Sequence, residues 1–477
     1  MASPPTPQPP PPVDVDLGKL SYEIFSSSRA TSSSAAAAAA AEVFARCLGR
    51  PGGRFLEGRV LAIDGCGPGP GDALLAAAAL VRLETALREK SGDGDARVAD
   101  FFDAAAGAGA GGVLAAMLFL KGADGRPRYT AADALAFVAA SLGKGGWRGG
   151  GGGGGGRRWW GVAALFRRGS SAERSSLRRV FGDATLRDTV APLLVPCYDL
   201  ATAAPFLFSR ADAVESGSFD FRLRDVCAAT CAGGAAATAV RSVDGRTAIA
   251  AASGGVAAMG NPTAAAITHV LHNKQEFPLA AGVDDLLVVS IGSGSSSAAT
   301  PSTAAGWRTP LPSRSPSPAE MVRLTAEGVA DMVDQAVAMA FGHTCGRNYV
   351  RIQAASPACK TKALSSVDAK KAAAIADGML TQRNVEAELF RGRRLSEKSN
   401  REKLDAFAAE LVKEHERRRA SPGLPNVVIK QVAAAAAAVT PARLSSATTT
   451  SSATATTART TVSSMPSPAA SLDSGRH

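Results

Sequence analysis

Three observations predict an α/β fold for this 477-residue chain, with helices on both faces of a mostly parallel sheet. A short apolar run, Arg59–Ile63, passes into the glycine loop Asp64–Gly71 and then a helical stretch from about Asp72 to Lys90. A second run, Phe101–Ala105, passes into the tight turn Gly107–Gly112 and a buried helix, Val113–Leu120. A third, Leu286–Ile291, again ends in glycine, at Gly292-Ser293-Gly294. Strand, glycine turn and helix in that order build three-layer α/β cores.

The other elements follow in chain order. Pro192–Tyr198 and Phe206–Phe208 read as strands, and Asp225–Thr230 as a short helix. Val322, Ala326, Val329, Val333, Ala336, Val337 and Ala340 recur at helical spacing. Asn348–Gln353 reads as a late strand. Arg401–Arg419 is a charged helix with Leu404, Phe407 and Leu411 on one face. Residues 1–16 are Pro-rich and expected to be disordered. Residues 17–358 form the main domain, interrupted by a Gly-rich insertion at 143–158 and a Ser/Pro-rich loop at 295–318. Residues 359–431 form a mainly helical extension, and the Ala/Ser/Thr tail 432–477 is expected to be disordered.

Composition narrows the function. Hydrophobic residues make up 46% of the chain, which rules out global disorder. Lys and Arg number 53 against 42 Asp and Glu, giving +11. These cations are scattered, and aromatics, at 5%, do not interleave with them. That pattern argues against nucleic acid and suits an anionic membrane surface. The seven cysteines are odd in number and show no Cys-x-x-Cys spacing, so neither a disulfide framework nor a zinc site is expected. The N-terminus lacks the basic and apolar regions of a secretory signal. Ala104–Leu120 is apolar but built of Gly and Ala at the short limit of a bilayer span, so it is read as buried core. A cytoplasmic protein, peripherally membrane-associated, is the expectation.

Two glycine turns could carry chemistry. Neither has the Lys of a phosphate-binding loop. Gly107, Gly109 and Gly112 fit a dinucleotide spacing, with Asp124 in range of a ribose, but another loop takes the first strand–helix turn, where that motif belongs. The better match is a hydrolase elbow, Gly-x-Ser-x-Gly, in which Gly107 and Gly111 flank Gly109 at the nucleophile position. Glycine suits the strained turn but brings no hydroxyl.

From about Leu17 to Val428 the chain resembles the plant patatin-like lipid acyl hydrolases, and within them the third plant subgroup, whose elbow reads Gly-x-Gly-x-Gly. The resemblance rests on Asp64-Gly-Cys-Gly67, Asp100–Asp103, Gly107–Gly112, Pro192–Leu200, Ala204–Arg210, Ala229-Thr-Cys231 and Asn261–Lys274. It implies a patatin-like three-layer fold. It also implies a Ser–Asp dyad, with Ser attacking the ester carbonyl, Asp assisting as base and a glycine loop holding the oxyanion.

Carried over, the oxyanion donors fall on Gly65, Cys66 and Gly67, the Ser on Gly109 and the Asp on Ser253 of Ser253-Gly-Gly255. The subgroup commonly keeps the Asp, so Ser253 is a further departure. Losing both members costs orders of magnitude in rate. The resemblance therefore leaves two functions open: a phospholipid or galactolipid acyl hydrolase of weak or unconventional activity, and an inactive lipid-binding or regulatory homologue. No cofactor is implied.

Several residues have a bland and a chemical reading. Cys66 could serve as an alternative nucleophile, or simply fill a glycine slot. His269 and His272 are spaced for a metal but lack a Cys or carboxylate pattern, so no metal is expected. Asp64 is expected to brace the glycine loop, while Asp103 and Asp244 have no evident partner. The Gly65–Gly67 loop and Gly109 are expected to share one pocket, with Ser253 opposite.

Overall fold

Alternate side chains of the first strand enter two different cores, which sets the layering. In a computed structural model describing residues 56–65, 70–143, 171–232, 238–252, 259–292, 315, 318–354, 369–388 and 392–420, the chain begins with β1 (Gly58–Ile63). Leu61 and Ile63 join one core and Val60 the other. Then come α1 (Pro70–Ser91), β2 (Ala104–Gly107), α2 (Gly109–Phe119), α3 (Ala131–Gly143) and α4 (Ser171–Phe181). Next are β3 (Leu193–Asp199), β4 (Ala204–Ser209), α5 (Arg210–Glu215), α6 (Leu223–Cys231), β5 (Thr238–Arg241) and β6 (Ala248–Ala252). α7 (Thr263–His272), β7 (Leu286–Ile291), α8 (Pro318–Phe341) and β8 (Tyr349–Ile352) follow. α9 (Ala369–Thr381), β9 (Arg383–Glu388), β10 (Gly392–Ser399) and α10 (Asn400–Ala420) close the described chain.

The main sheet runs β5-β6-β3-β2-β1-β7-β8, with β4 paired to β3. β3, β2, β1, β7 and β8 are mutually parallel, and β4, β5 and β6 add antiparallel pairs. One core packs α1, α2, α3, α6 and α10 on the sheet, and the other packs α7 and α8. This is the three-layer, mostly parallel architecture that the sequence predicts.

β3 contains a fork. β4 covers one edge of β3 over Leu194–Asp199, so β2 and β6 must share the other. β2 pairs at Leu193 and Leu194, and β6 at Tyr198 and Asp199. Between them, among the described residues, β3 has no strand on that side. Parallel sheets place ligand sites where neighbouring strands part in this way, outside their carboxyl ends.

Three elements differ from the sequence reading. Of Phe101–Ala105 only Ala104 and Ala105 are strand. Val98–Phe101 forms a 3-10 turn whose first N–H, from Arg97, is taken by Asp100, and β2 starts only at Ala104. β2 is Ala-Ala-Ala-Gly, fully buried, so tertiary burial rather than strand propensity holds it. α2 starts at Gly109, inside the glycine turn, rather than at Val113. The β9–β10 ribbon lies within the expected helical extension, and its charged sequence shows no clean alternation. The Gly-rich insertion at 143–158, but for Gly143, both termini and most of the Ser/Pro-rich loop lie outside the described residues.

Candidate active site at the carboxyl ends of β1 and β2

β1 and β2 are adjacent and parallel, with Ile63 level with Gly107, so their loops leave the sheet side by side. Gly65 and Gly109 meet there. Gly109 has φ +52°, the left-handed region that side chains rarely adopt and the backbone a nucleophile elbow imposes. A Cβ built on Gly109 would lie 2.5 Å from the Gly65 carbonyl oxygen, and one built on Gly65 would overlap the carbonyl of Ala108. Two backbones thus touch where other elbows carry a side chain. A Cβ on Gly111 would stand 2.5 Å from Asp64 O, so the approach extends through the first turn of α2.

The elbow is pinned from the fork in β3. The Gly109 N–H donates to Thr230 Oγ1 at 2.9 Å, and the Thr230 hydroxyl donates to Pro196 O at 2.7 Å. Thr230 is fully buried near the end of α6, and Pro196 lies in the stretch of β3 between β2 and β6. The first intrahelical bond of α2 runs from Gly112 N to Ala108 O. Helix geometry therefore leaves the Ala110 and Gly111 N–H groups for the site, at the positive end of the helix dipole.

Behind the glycine loop lies a buried polar network. Arg351 Nη2 donates to Asp64 Oδ2 at 2.6 Å, and Nη1 donates to Asp64 Oδ1 at 3.2 Å and Ser290 Oγ at 2.6 Å. Asp334 Oδ2 lies 3.9 Å from Arg351 Nε, and Asp334 Oδ1 accepts from Tyr349 OH at 2.6 Å. Burial works against the Arg351 charge, but Asp64 and Asp334 outweigh it and hold the guanidinium protonated more firmly than usual. Asp64 thus braces the glycine loop, and sequence reasoning missed its partner. Nothing local marks Arg351, because its role comes from the β7–β8 pairing.

Of the residues singled out from sequence, Gly65, Gly107, Gly109 and Gly111 come together here. Cys66, Gly67 and Ser253 lie outside the described residues. The Cys197 thiol is pushed up to about 12 by burial and then by Asp199, so it offers no thiolate. His272 Nδ1 lies 2.9 Å from Thr268 O, and the His269 ring packs edge-on against Phe277. Among the described residues no group of three or more His, Cys, Asp or Glu could hold a metal. Asp244 braces a turn, accepting from Ser218 Oγ, Ser242 Oγ and Arg246 N.

Asp103 belongs to the other end of the sheet. Its carboxylate accepts from Arg59 N, Nε and Nη2 and from Arg418 Nη1, and Arg418 Nη2 also donates to Leu56 O. Burial works against the Asp103 charge, but Arg59 and Arg418 outweigh it and hold the carboxyl well below the usual range. Glu57, beside this cluster, is raised to about 7, chiefly by burial and against the pull of Arg418.

Known proteins share this arrangement of sequence. Residues 61–267 match the family described as patatin-like phospholipase. Patatin-like protein 3 of Oryza sativa subsp. indica is 55% identical over 76% of this chain and 82% of its own. Patatin-like protein 7 of Arabidopsis thaliana is 43% identical over 87% and 85%. A protein named probable inactive patatin-like protein 9, also from Arabidopsis thaliana, is 42% identical over 74% and 86%. Identity of this order, carried across most of both chains, makes the chain a member of the patatin-like protein family.

Proposed function

We propose that this protein keeps the acyl-ester site of its family but no longer turns over by the Ser–Asp route. It binds membrane phospholipids or galactolipids at a peripheral surface, with ester hydrolysis weak or absent. The observation that carries this reading is the contact between Gly65 and Gly109. The nucleophile position has no side chain, and the Gly65 carbonyl fills the space a Cβ would need. The base position, Ser253, cannot accept a proton at neutral pH. The relative named as probably inactive supports the same direction.

The surviving elbow backbone favours a second reading, residual hydrolysis through unconventional chemistry. Gly109 keeps the left-handed turn, and α2 still offers its first-turn N–H groups. Cys66 would then be the first nucleophile to test.

The deciding experiment is a fatty-acid release assay on mixed phospholipids and galactolipids, with wild type beside Cys66→Ala. The expected result is vesicle binding that weakens as salt rises, with release at background in both proteins. Brisk release by wild type that vanishes in Cys66→Ala would overturn the reading in favour of Cys66 chemistry. Gly109→Ser and Ser253→Asp should each do little alone, and the pair should exceed either. The gain is limited, because Gly65 must withdraw by about 1 Å to admit a Cβ. No described helix is long and apolar enough to cross a membrane.

A further inference from the structure

Where the chain leaves β1 and β7, and where it enters α7, it meets one guanidinium. Ala62, Ser290 and Arg351 are in register across β1, β7 and β8, so their side chains share one face of the sheet. The small side chains at 62 and 290 leave a path along which Arg351 crosses β7 to reach Asp64. Asp64 leads directly into Gly65. Ser290 Oγ, held by Arg351, lies 2.9 Å from Thr263 Oγ1. Thr263 opens α7, its N–H donates to Asn261 Oδ1 at 3.0 Å, and Asn261 Nδ2 donates to Ala330 O in α8. A Cβ built on Gly292, at the end of β7, would lie 2.8 Å from Arg351 Nη2.

We propose that Arg351 is the positioning residue of this site: through Asp64 it fixes Gly65, and through Ser290–Thr263–Asn261 it fixes the start of α7, so that the two are held in one register. The claim rests on the reading of Gly65 and Gly109 as the family's acyl-ester site. Arg351 acts on Gly65 by fixing the residue before it. Five separate elements contribute to the network, namely the end of β1, the start of α7, β7, α8 and β8. Holding a loop closed against Ala108 and Gly109 requires that its root not swing. A bidentate fork on a buried carboxylate supplies that constraint, and a single ammonium supplies it only in part.

The test is peptide-level amide hydrogen exchange on the full chain, with vesicle binding measured on the same samples. Arg351→Gln should speed exchange in peptides spanning 60–65 and 106–112 on the order of tenfold or more, while α10 stays as in wild type. Arg351→Lys should recover part of the protection. Ser290→Ala cuts only the second branch, so it should speed exchange at 261–266 and leave 60–65 unchanged. If Arg351→Gln loosens α10 as much as the elbow, or leaves 60–65 as in wild type, the positioning role is overturned. Should Arg351→Gln not fold, the Ser290→Ala pattern decides, and a uniform response overturns the proposal. The probe for binding is a vesicle of anionic phospholipid and galactolipid. Wild type that fails to bind it removes the lipid reading, while exchange still decides the role of Arg351. If wild type binds, Arg351→Gln should weaken binding on the order of tenfold, with partial recovery in Arg351→Lys.

Discussion

At their amino ends, β1 and β2 are joined by side chains: Arg59 and Arg418 converge on the buried Asp103, the second from 315 residues along the chain. At their carboxyl ends the same two strands are joined by backbone, with Gly65 lying on Ala108 and Gly109. The first arrangement tolerates a range of nearby shapes, because guanidinium and carboxylate adjust by rotation. The second tolerates none, because peptide planes are stiff. The candidate site therefore sits at the rigid end, and helix α10 is held at the adjustable one.

Gly65→Ala should break the contrast most severely. Its Cβ has only the Ala108 backbone to displace, so a loss of about 5 kcal/mol or more is expected, read by chemical denaturation. Asp103→Asn should follow, costing about 3 to 5 kcal/mol by stranding two buried arginines. A cost under 1 kcal/mol for Asp103→Asn would mean that the amino end is not a clasp.

Thr230→Val sharpens the comparison at the elbow. It keeps the shape but leaves Gly109 N–H and Pro196 O without their partner, at a cost of about 1 to 3 kcal/mol. The same change should speed exchange at Gly109 ahead of the rest of α2. Equal acceleration throughout α2 would show that Thr230 only fills space.

The smallest effect concerns Glu57. Its folded carboxyl sits at about 7 against an ordinary 4.5, so the folded chain keeps a proton that the unfolded chain releases. The stability this group contributes is full below about pH 4.5 and is lost as pH rises through about 7. Glu57→Gln should flatten that slope and raise Tm at pH 8 by roughly 2 to 4 °C. A variant whose pH–Tm curve follows wild type would place the proton elsewhere, Glu414 being the next raised carboxyl in the cluster.

The parallel core was legible because Arg59–Ile63 and Leu286–Ile291 are apolar runs that end in glycine, and a strand buried on both faces has that look. The left-handed turn at Gly109 was legible because Gly107, Gly109 and Gly111 crowd one strand-to-helix turn. β2 escaped because four small residues carry no period. The ribbon β9–β10 escaped because its pairing is written in cross-strand charges such as Arg394 with Glu386. Thr230, Arg351 and Arg418, the distant partner of Asp103, were hidden for one reason. Each acts across more than 100 residues of chain, and no local pattern records such a contact.

The place of β1 in the sheet has a consequence for how the molecule is made. One edge of β1 pairs with β2 soon after it emerges, but the other waits for β7, with Gly58 pairing to Leu286 228 residues later. At the usual ~5–20 residues per second of synthesis, that edge stands open for roughly 10 to 45 s. Gly-Arg-Val-Leu-Ala-Ile is an apolar strand with free backbone groups, the kind of edge that recruits other chains. The Arg351 fork closes later still, 287 residues after Asp64. The nascent chain therefore carries one open edge of this apolar strand through some 228 residues of synthesis, and its yield in a cell should depend on chaperone capacity more than on final stability.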